Sequence, residues 1–512
     1  MARPERRRLR TIELAAIVVA AAAARTLFIE WLPGINGDEA WYGVNVQELL
    51  SGGTPFWRTG IGNPLSPFHS GPLLVLSALF QPSATMLRVP EVLLGLLAVA
   101  LAYPLLRRTL GERAAILTAL LLAVSPTAVS YARLGWDPSG GPLMTLLAIG
   151  FALLDRPWLA LMGVAAAWLV HPTNIFIAPI VAAAWAPHAI QRWRTSTAIV
   201  RARLLRLGIA ITVVGIPVVA WVLSQIAANP NTSLPSISMV IDRVTSPELW
   251  AARAWGFVNL LSGVSPVAHI AGPLPPAVER GANLFVAGLT LAVLFAGQAA
   301  FRAHRHARWL VAGIAIAFAG FHIVAMDVAL TPTAERYGLF MLVPMIITLA
   351  VGIDALSSRR PAAGHAATGA VALFMVAMTV GGYFMPLWSR GGDAMTTYRT
   401  ARTEPKRAAF DFIDADSRAA ASVRIVADGW WLYWTLRYFA GAEGRIHVDV
   451  VPGSNMPGGT HPVGAAIRPF PSPQRTYWVA FAGGAVPSQD AQSVYTATDP
   501  AGRPILHVYL SN

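Results

Sequence analysis

Two carboxylates stand side by side at Asp38 and Glu39, in the run Asn36-Gly37-Asp38-Glu39-Ala40-Trp41-Tyr42. A third, Asp137, ends the segment Tyr131-Ala132-Arg133-Leu134-Gly135-Trp136-Asp137, with Pro138 next in the chain. A carboxylate can take a proton from a hydroxyl, and an arginine can grip a phosphate through paired N–H donors. Arg133 precedes Asp137 by four residues, so the two could pair across one helical turn. Each acid also has a plainer use. Asp38 suits the N-cap of the helix-like stretch 40–50, and Asp137 the cap of a helix that has Pro138 in first place. Capping alone does not explain the segment beyond Asp38. It runs on through Phe56-Trp57, Asn63-Pro64 and Pro67-Phe68-His69-Ser70-Gly71-Pro72-Leu73, long and aromatic for a connector.

Other polar residues are candidates of the same kind. Arg336-Tyr337, in Thr331-Pro332-Thr333-Ala334-Glu335-Arg336-Tyr337, suits either a phosphate contact or an interfacial anchor pair. His171, in His171-Pro172-Thr173-Asn174, reads first as part of a polar turn and second as a substrate contact. His69 could bind a divalent cation together with a carboxylate. Trp430, Trp431, Tyr433 and Trp434 have helical spacing, which makes them a core face ahead of a sugar platform.

The elements that must position these residues are membrane helices. Of the 512 residues, 55% are hydrophobic and 13% are charged, with a mean hydropathy of +0.52. A soluble protein carries about 25% charged residues, so one buried core does not explain this composition. Apolar runs near 11–29, 88–106, 113–131, 140–154, 157–170, 172–187, 205–228, 281–300, 308–328, 336–355 and 364–386 make about eleven spans. With the N-terminal arginines 6, 7, 8 and 10 in the cytoplasm, the other arginine clusters fall on the same side: 107, 108 and 113; 192, 194, 201, 203 and 206; 302, 305 and 308; 359 and 360. The net charge of +13 therefore orients spans, and nucleic acid is not an expected partner. The chain has no cysteine, which excludes disulfides, thiolate metal sites and a cysteine nucleophile.

Three stretches are then external: 30–87, 229–280 and the tail from 387. The tail alternates strand-like runs (SVRIVAD, RIHVDVV, TYWVAF, ILHVYL) with helix-like ones (PKRAAFDFIDAD, GWWLYWTLRYFAG). The expected division is a transmembrane catalytic domain over 1–386 and a soluble extracytoplasmic α/β domain over 387–512. Asp38, Glu39, His69, Asp137, Arg133, Arg336, Tyr337 and His171 all fall on the external side.

The order of these features resembles the GT-C superfamily of polyprenyl-phosphate-sugar-dependent glycosyltransferases, in particular protein O-mannosyltransferases and lipid A aminoarabinose transferases. In those families an Asp-Glu pair opens the first external loop, as Asp38-Glu39 does. Phe68-His69-Ser70-Gly71-Pro72-Leu73 is similar to their His/Lys-Pro-Pro-Leu element, though Ser70-Gly71-Pro72 replaces the paired prolines. Met86-Leu87-Arg88-Val89-Pro90 looks like their Ala-x-Arg-x-Pro element, Arg133 with Asp137 like the end of their third span, and Arg336-Tyr337 like their late motif. The resemblance implies Asp38 as base, Glu39 and Asp137 as residues that shape the site, and His69, Arg133 and Arg336 as contacts to the donor phosphate. It also implies a polyprenyl-phosphate-linked sugar donor, an envelope lipid, glycan or protein as acceptor, direct inverting displacement, and residence in a bacterial inner membrane. A transporter, flippase or polymerase of lipid-linked sugars is the rival reading; the first two would place ionisable groups at mid-membrane depth.

Overall fold

In the computed structural model the described residues are 3–53, 65–197, 202, 206, 236–303, 305–325, 330–331, 333–441, 444–451, 474–484 and 492–511. The first nine helices are α1 (Arg3–Thr26), α2 (Gly37–Leu50), α3 (Pro67–Leu79), α4 (Ala84–Leu110), α5 (Glu112–Val124), α6 (Pro126–Ala132), α7 (Gly141–Leu153), α8 (Pro157–Val170) and α9 (Ala178–Thr195). Among the described residues, six helical stretches are long and apolar enough to cross a membrane: 84–110, 172–195, 276–295, 305–324, 335–359 and 361–390. α5 and α6 make a seventh when counted together across their 57° bend. The sequence pattern had suggested about eleven. The expected spans 140–154 and 157–170 are α7 and α8, of 13 and 14 residues. Helices of that length rise about 20 Å, short of about 30 Å of hydrocarbon. The expected span 205–228 lies outside the described residues.

The bend between α5 and α6 has a local cause. Pro126 lacks an N–H, so carbonyls in the last turn of α5 lose their helical partners. Arg25 of α1 donates to Leu122 O at 2.9 Å and to Ala123 O at 3.1 Å, while Thr379 Oγ1 donates to Val124 O at 2.9 Å. The polar backbone freed by the kink is thus satisfied inside the protein, as a low-dielectric setting requires.

The described part of the second external stretch is helical: Ile237–Thr245, Pro247–Ser262 and Val264–Ile270. It folds onto the bundle and buries Phe257, Leu260, Val264 and Val267 in the main core. In the tail, β1 (Val423–Ala427), β2 (Ile446–Val450), β3 (Arg475–Phe481), β4 (Ser493–Thr498) and β5 (Pro504–Ser511) form one sheet in the order β2-β1-β3-β5-β4. β1 runs parallel to β2 and β3, whereas β5 is antiparallel to β3 and β4. Four of these strands and the helices Pro405–Asp416 and Trp430–Ala440 coincide with the runs read from sequence; β4 does not.

A second core joins the tail to the first external stretch. Trp41, Tyr42, Val44 and Leu87 pack with Tyr433, Trp434, Leu436 and Tyr438. α2 lies directly on the Trp430–Ala440 helix: a Cβ on Gly43 would fall 2.5 Å from Tyr438 ring carbons, so this approach requires glycine. Polar contacts reinforce the join. Gly34 N donates to Tyr398 O (3.0 Å), Thr397 Oγ1 to Ile35 O (3.1 Å), and Gln47 Nε2 to Tyr438 O (3.1 Å). Arg437 pairs with Glu48 across the same face.

The orientation read from the arginine clusters is testable because no native cysteine interferes. In intact cells a membrane-impermeant maleimide is expected to label Ala419→Cys in the tail. Ser358→Cys, beside the 359–360 cluster, should react only after permeabilisation. The reverse pattern would invert the topology.

Candidate functional site

The site is built around one buried ion pair. Glu39 is fully buried and accepts from Arg88 Nε at 2.8 Å and from Arg88 Nη2 at 3.0 Å. The same carboxylate accepts from Gly135 N at 2.8 Å and from Asn36 N at 3.2 Å. Arg88, also fully buried, donates onward to Ile29 O (2.8 Å), Pro33 O (2.9 Å) and Gly34 O (3.3 Å). Three chain segments are therefore tied to one point: 29–39, the start of α4, and the turn after α6. The turn must come very close, since a Cβ on Gly135 would lie 2.7 Å from Leu87 O.

This arrangement corrects the expectation that Asp38 caps its helix. The N-cap is Asn36, whose Oδ1 accepts from Glu39 N at 2.9 Å, with Glu39 reaching back to Asn36 N as a capping box. Consecutive helical residues point about 100° apart, so locking Glu39 inward turns Asp38 aside. Asp38 is half-buried, and its Oδ1 accepts from Trp430 Nε1 at 3.0 Å. Burial pushes its carboxyl above the usual range, opposed by the Arg336 guanidinium, the Trp430 hydrogen bond and His269; the neighbouring Glu39 adds to the rise.

Asp137 begins the one-turn 3-10 segment Asp137–Gly140 and is 7% exposed. Burial raises it to about 7, against a hydrogen bond from Tyr42 and the charge of Arg336, while the Asp38 charge raises it further. The two aspartates thus lie within each other's field, with Arg336 acting on both. Arg336 is held by a bond from its Nη1 to Thr333 O (2.6 Å) and by the rings of Trp136 and Tyr337, 5.5 and 5.1 Å from its guanidinium carbon. Trp136 in turn donates to Asn36 Oδ1 at 3.1 Å. A cation between two aromatic faces, beside two carboxylates of raised pKa, can offset negative charge on a ligand while a carboxylate accepts a proton.

The remaining predicted residues divide. Tyr337 is in the cluster, and His171 packs against it with ring centroids 5.4 Å apart. Arg133 is not in it. It is fully buried, donates to Ala24 O (3.1 Å) and Leu32 O (2.5 Å), and lies 4.9 Å over the Phe384 ring. It fastens α1 and the next turn in place of pairing with Asp137. His69 is likewise committed, with Nδ1 2.9 Å from Glu91 Oε1 and its ring edge-on to Tyr42 at 4.8 Å. Among the described residues there is no group of three or more His, Asp and Glu placed to hold a metal.

Sequence reasoning missed several participants. His269 bonds Glu335 through Nδ1 (2.7 Å), and Tyr131 donates to the same Glu335 oxygen at 3.0 Å. Tyr398 accepts from Asn36 Nδ2 at 3.0 Å. The Asn36-x-x-Glu39 spacing was a readable capping-box signal. Nothing local foretold Trp430, which reaches Asp38 across 392 residues of chain.

The geometry predicts two outcomes. Arg88→Met leaves the Glu39 charge buried without its partner, expected to cost about 3–5 kcal/mol and to abolish accumulation of folded protein in membranes; a variant that melts like the parent would refute the anchor. Asp137→Asn should raise thermal stability at pH 8 by an amount on the order of a few kcal/mol, shrinking as the pH falls from 7 toward 4. A carboxyl with a raised folded pKa supports the fold fully only below its unfolded pKa and loses that support as pH climbs through the folded value. A melting difference that does not vary with pH would contradict the raised pKa.

Residues 69–221 match the family model described as dolichyl-phosphate-mannose-protein mannosyltransferase. The fold is similar to that of ArnT from Cupriavidus metallidurans. The apo structure of that protein superposes with a TM-score of 0.52 at 15% identity, covering 98% of this chain and 97% of ArnT. A second structure of the same protein, bound to undecaprenyl phosphate, gives a TM-score of 0.51 at 15% identity over 97% of each chain. No curated protein matches by sequence. The family-model match over residues 69–221 and the ArnT-like fold agree with the resemblance read from the sequence.

Proposed function

We propose that this protein moves a sugar from a polyprenyl-phosphate donor to an envelope lipid, glycan or protein, on the external face of a bacterial inner membrane. The observation that carries the reading is the pairing of a half-buried aspartate, Asp38, with an arginine, Arg336, that is held between aromatic rings and acts on Asp38 and Asp137 together. The undecaprenyl phosphate bound by the relative of like fold supports the choice of donor class.

Sugar on a lipid phosphate already carries a good leaving group, so the protein must chiefly supply a base and a counter-charge. The acceptor hydroxyl gives its proton to Asp38 while its oxygen bonds to the anomeric carbon. The bond from that carbon to the phosphate oxygen breaks, and its electron pair leaves with the polyprenyl phosphate. Arg336 meets the added negative charge. Attack opposite the leaving group inverts the anomeric centre, with no covalent enzyme intermediate. Glu39 fixes the frame, Tyr42 bonds Asp137, and His171 packs on Tyr337 beside Arg336. Arg133 and His69 are read as framework in place of donor contacts, because both Arg133 Nη groups bond backbone carbonyls and His69 Nδ1 bonds Glu91.

The test is a deletion strain of the source bacterium, characterised by mass spectrometry of its polyprenyl-phosphate sugars and envelope glycans. One polyprenyl-phosphate sugar should accumulate and the same sugar should vanish from its acceptor, naming both. Wild-type protein should restore the modification. Asp38→Asn at equal membrane level should restore it at least about 100-fold more slowly, the usual contribution of a general base. Full restoration by Asp38→Asn would sink the assignment.

A further inference from the structure

Asp38 Oδ1 accepts a hydrogen bond from Trp430, a side chain near the far end of the protein. We propose that Trp430, in the C-terminal tail, is a positioning residue for the Asp38 base, so that the sheet-bearing tail is part of the catalytic apparatus. This rests on the proposed role of Asp38 as base.

The indole is placed by three features that act together. β1 ends at Ala427, and Asp428 N is pinned to Val479 O at 2.9 Å. Gly429, at φ +81°, then turns the chain in a conformation that side-chain-bearing residues rarely adopt, and Trp430 opens the next helix. On its far side the indole meets Trp434 edge-on, with centroids 5.4 Å apart. On its near side lies Gly37, where a Cβ would come within 2.9 Å of both Trp430 Cδ1 and Trp430 O. The residue before Asp38 must therefore be bare for the indole to reach the carboxylate. Trp430 is 7% exposed, so the donor is held rigidly against Asp38 Oδ1 at 3.0 Å.

The choice of tryptophan suits the task. Its N–H donates only; it neither accepts nor takes up a proton, so it can hold a carboxylate without competing with it as a base. With Oδ1 tied to the tail, Oδ2 is the oxygen left to receive the acceptor's proton. The charged and titratable groups acting on or with Asp38 are Glu39 on its own helix, Arg336, His269, Asp137, Tyr42 and Tyr398. Trp430 adds to the cations that favour the ionised form, and its removal should make Asp38 harder to ionise.

The experiment uses purified full-length protein added to membranes of the deletion strain, which hold both the accumulated donor and the unmodified acceptor. Loss of the accumulated polyprenyl-phosphate sugar is tracked by mass spectrometry from pH 5 to 9, per amount of folded protein. In Trp430→Phe the rising, acidic limb of the rate profile should move to higher pH by on the order of one unit, the scale of one charge-assisted hydrogen bond. Rates should converge on the parent's at the alkaline end. Phe439→Leu, at the far end of the same helix and packed on Phe410 and Tyr438, should leave the limb in place. Gly37→Ala displaces the indole without removing it and should reproduce the shift, which keeps the question open to measurement where Trp430→Phe does not accumulate. Uniformly lower rates with an unmoved limb, in Trp430→Phe or Gly37→Ala, would overturn the proposal and leave Trp430 as packing. If Asp38→Asn is itself fully active, the reading of the base fails first, a result distinct from an inactive Asp38→Asn beside an unshifted Trp430→Phe.

Discussion

The buried pair of Glu39 with Arg88 is the constraint on which the site depends. Two charges removed from water are costly, and their mutual attraction offsets this only when geometry is close and every remaining donor and acceptor is used. Here Glu39 takes two bonds from Arg88 and two from backbone N–H groups, and Arg88 spends its other donors on three carbonyls. A lysine could not do this, since its single ammonium lacks the planar fork that spans a carboxylate and several carbonyls at once. The pair secures the relative placement of chain segments with no regular structure of their own. Residues 29–36 and 133–136 are neither helix nor strand over most of their length, and near a membrane such backbone persists only where protein supplies its hydrogen bonds.

That anchor sets the division of labour between neighbouring acids. Glu39 faces inward and is saturated; Asp38, one position earlier, meets Trp430 and lies in the field of Arg336 and Asp137. Two adjacent carboxylates thus end with different surroundings. Asp137 is supplied from the other side by the turn that Gly135 ties to Glu39, so both aspartates are referred to a single point. Preorganisation of this kind holds two carboxylates within the field of one guanidinium.

Much of this was legible in the sequence, and the reasons differ by level. The helices of the bundle and four of the five strands arise from hydrophobic runs and alternation, which are local signals. The sequence pattern shows neither the 57° bend inside the expected span 113–131, at Ser125-Pro126, nor the short length of α7 and α8. Asp38, Asp137, Arg336 and Tyr337 were identified from residue type and from their place at the outer ends of spans, and they do come together. Arg133 misled because the four-residue spacing to Asp137 assumes a continuous helix. The chain instead leaves the helix at Ala132, and the guanidinium turns back to α1. Trp430 read as a core residue, which it is; that the same ring also serves Asp38 depends on a contact no local pattern encodes.

The join between tail and first loop explains why that contact is dependable. An appended domain on a flexible tether would hold a hydrogen-bond donor within a few tenths of an ångström only by chance. Here the tail shares a hydrophobic core with α2 and α4, built from aromatic side chains of both. Burying aromatic rings of this size contributes far more than one hydrogen bond could, so packing fixes the geometry and the polar contact inherits its precision. The same core contains Leu87, the residue before Arg88. The tail therefore braces the segment that carries the buried arginine as well as the loop that carries Asp38. Irregular backbone such as 29–36 and 133–136 needs partners on every side, and the bundle and the tail each supply some of them.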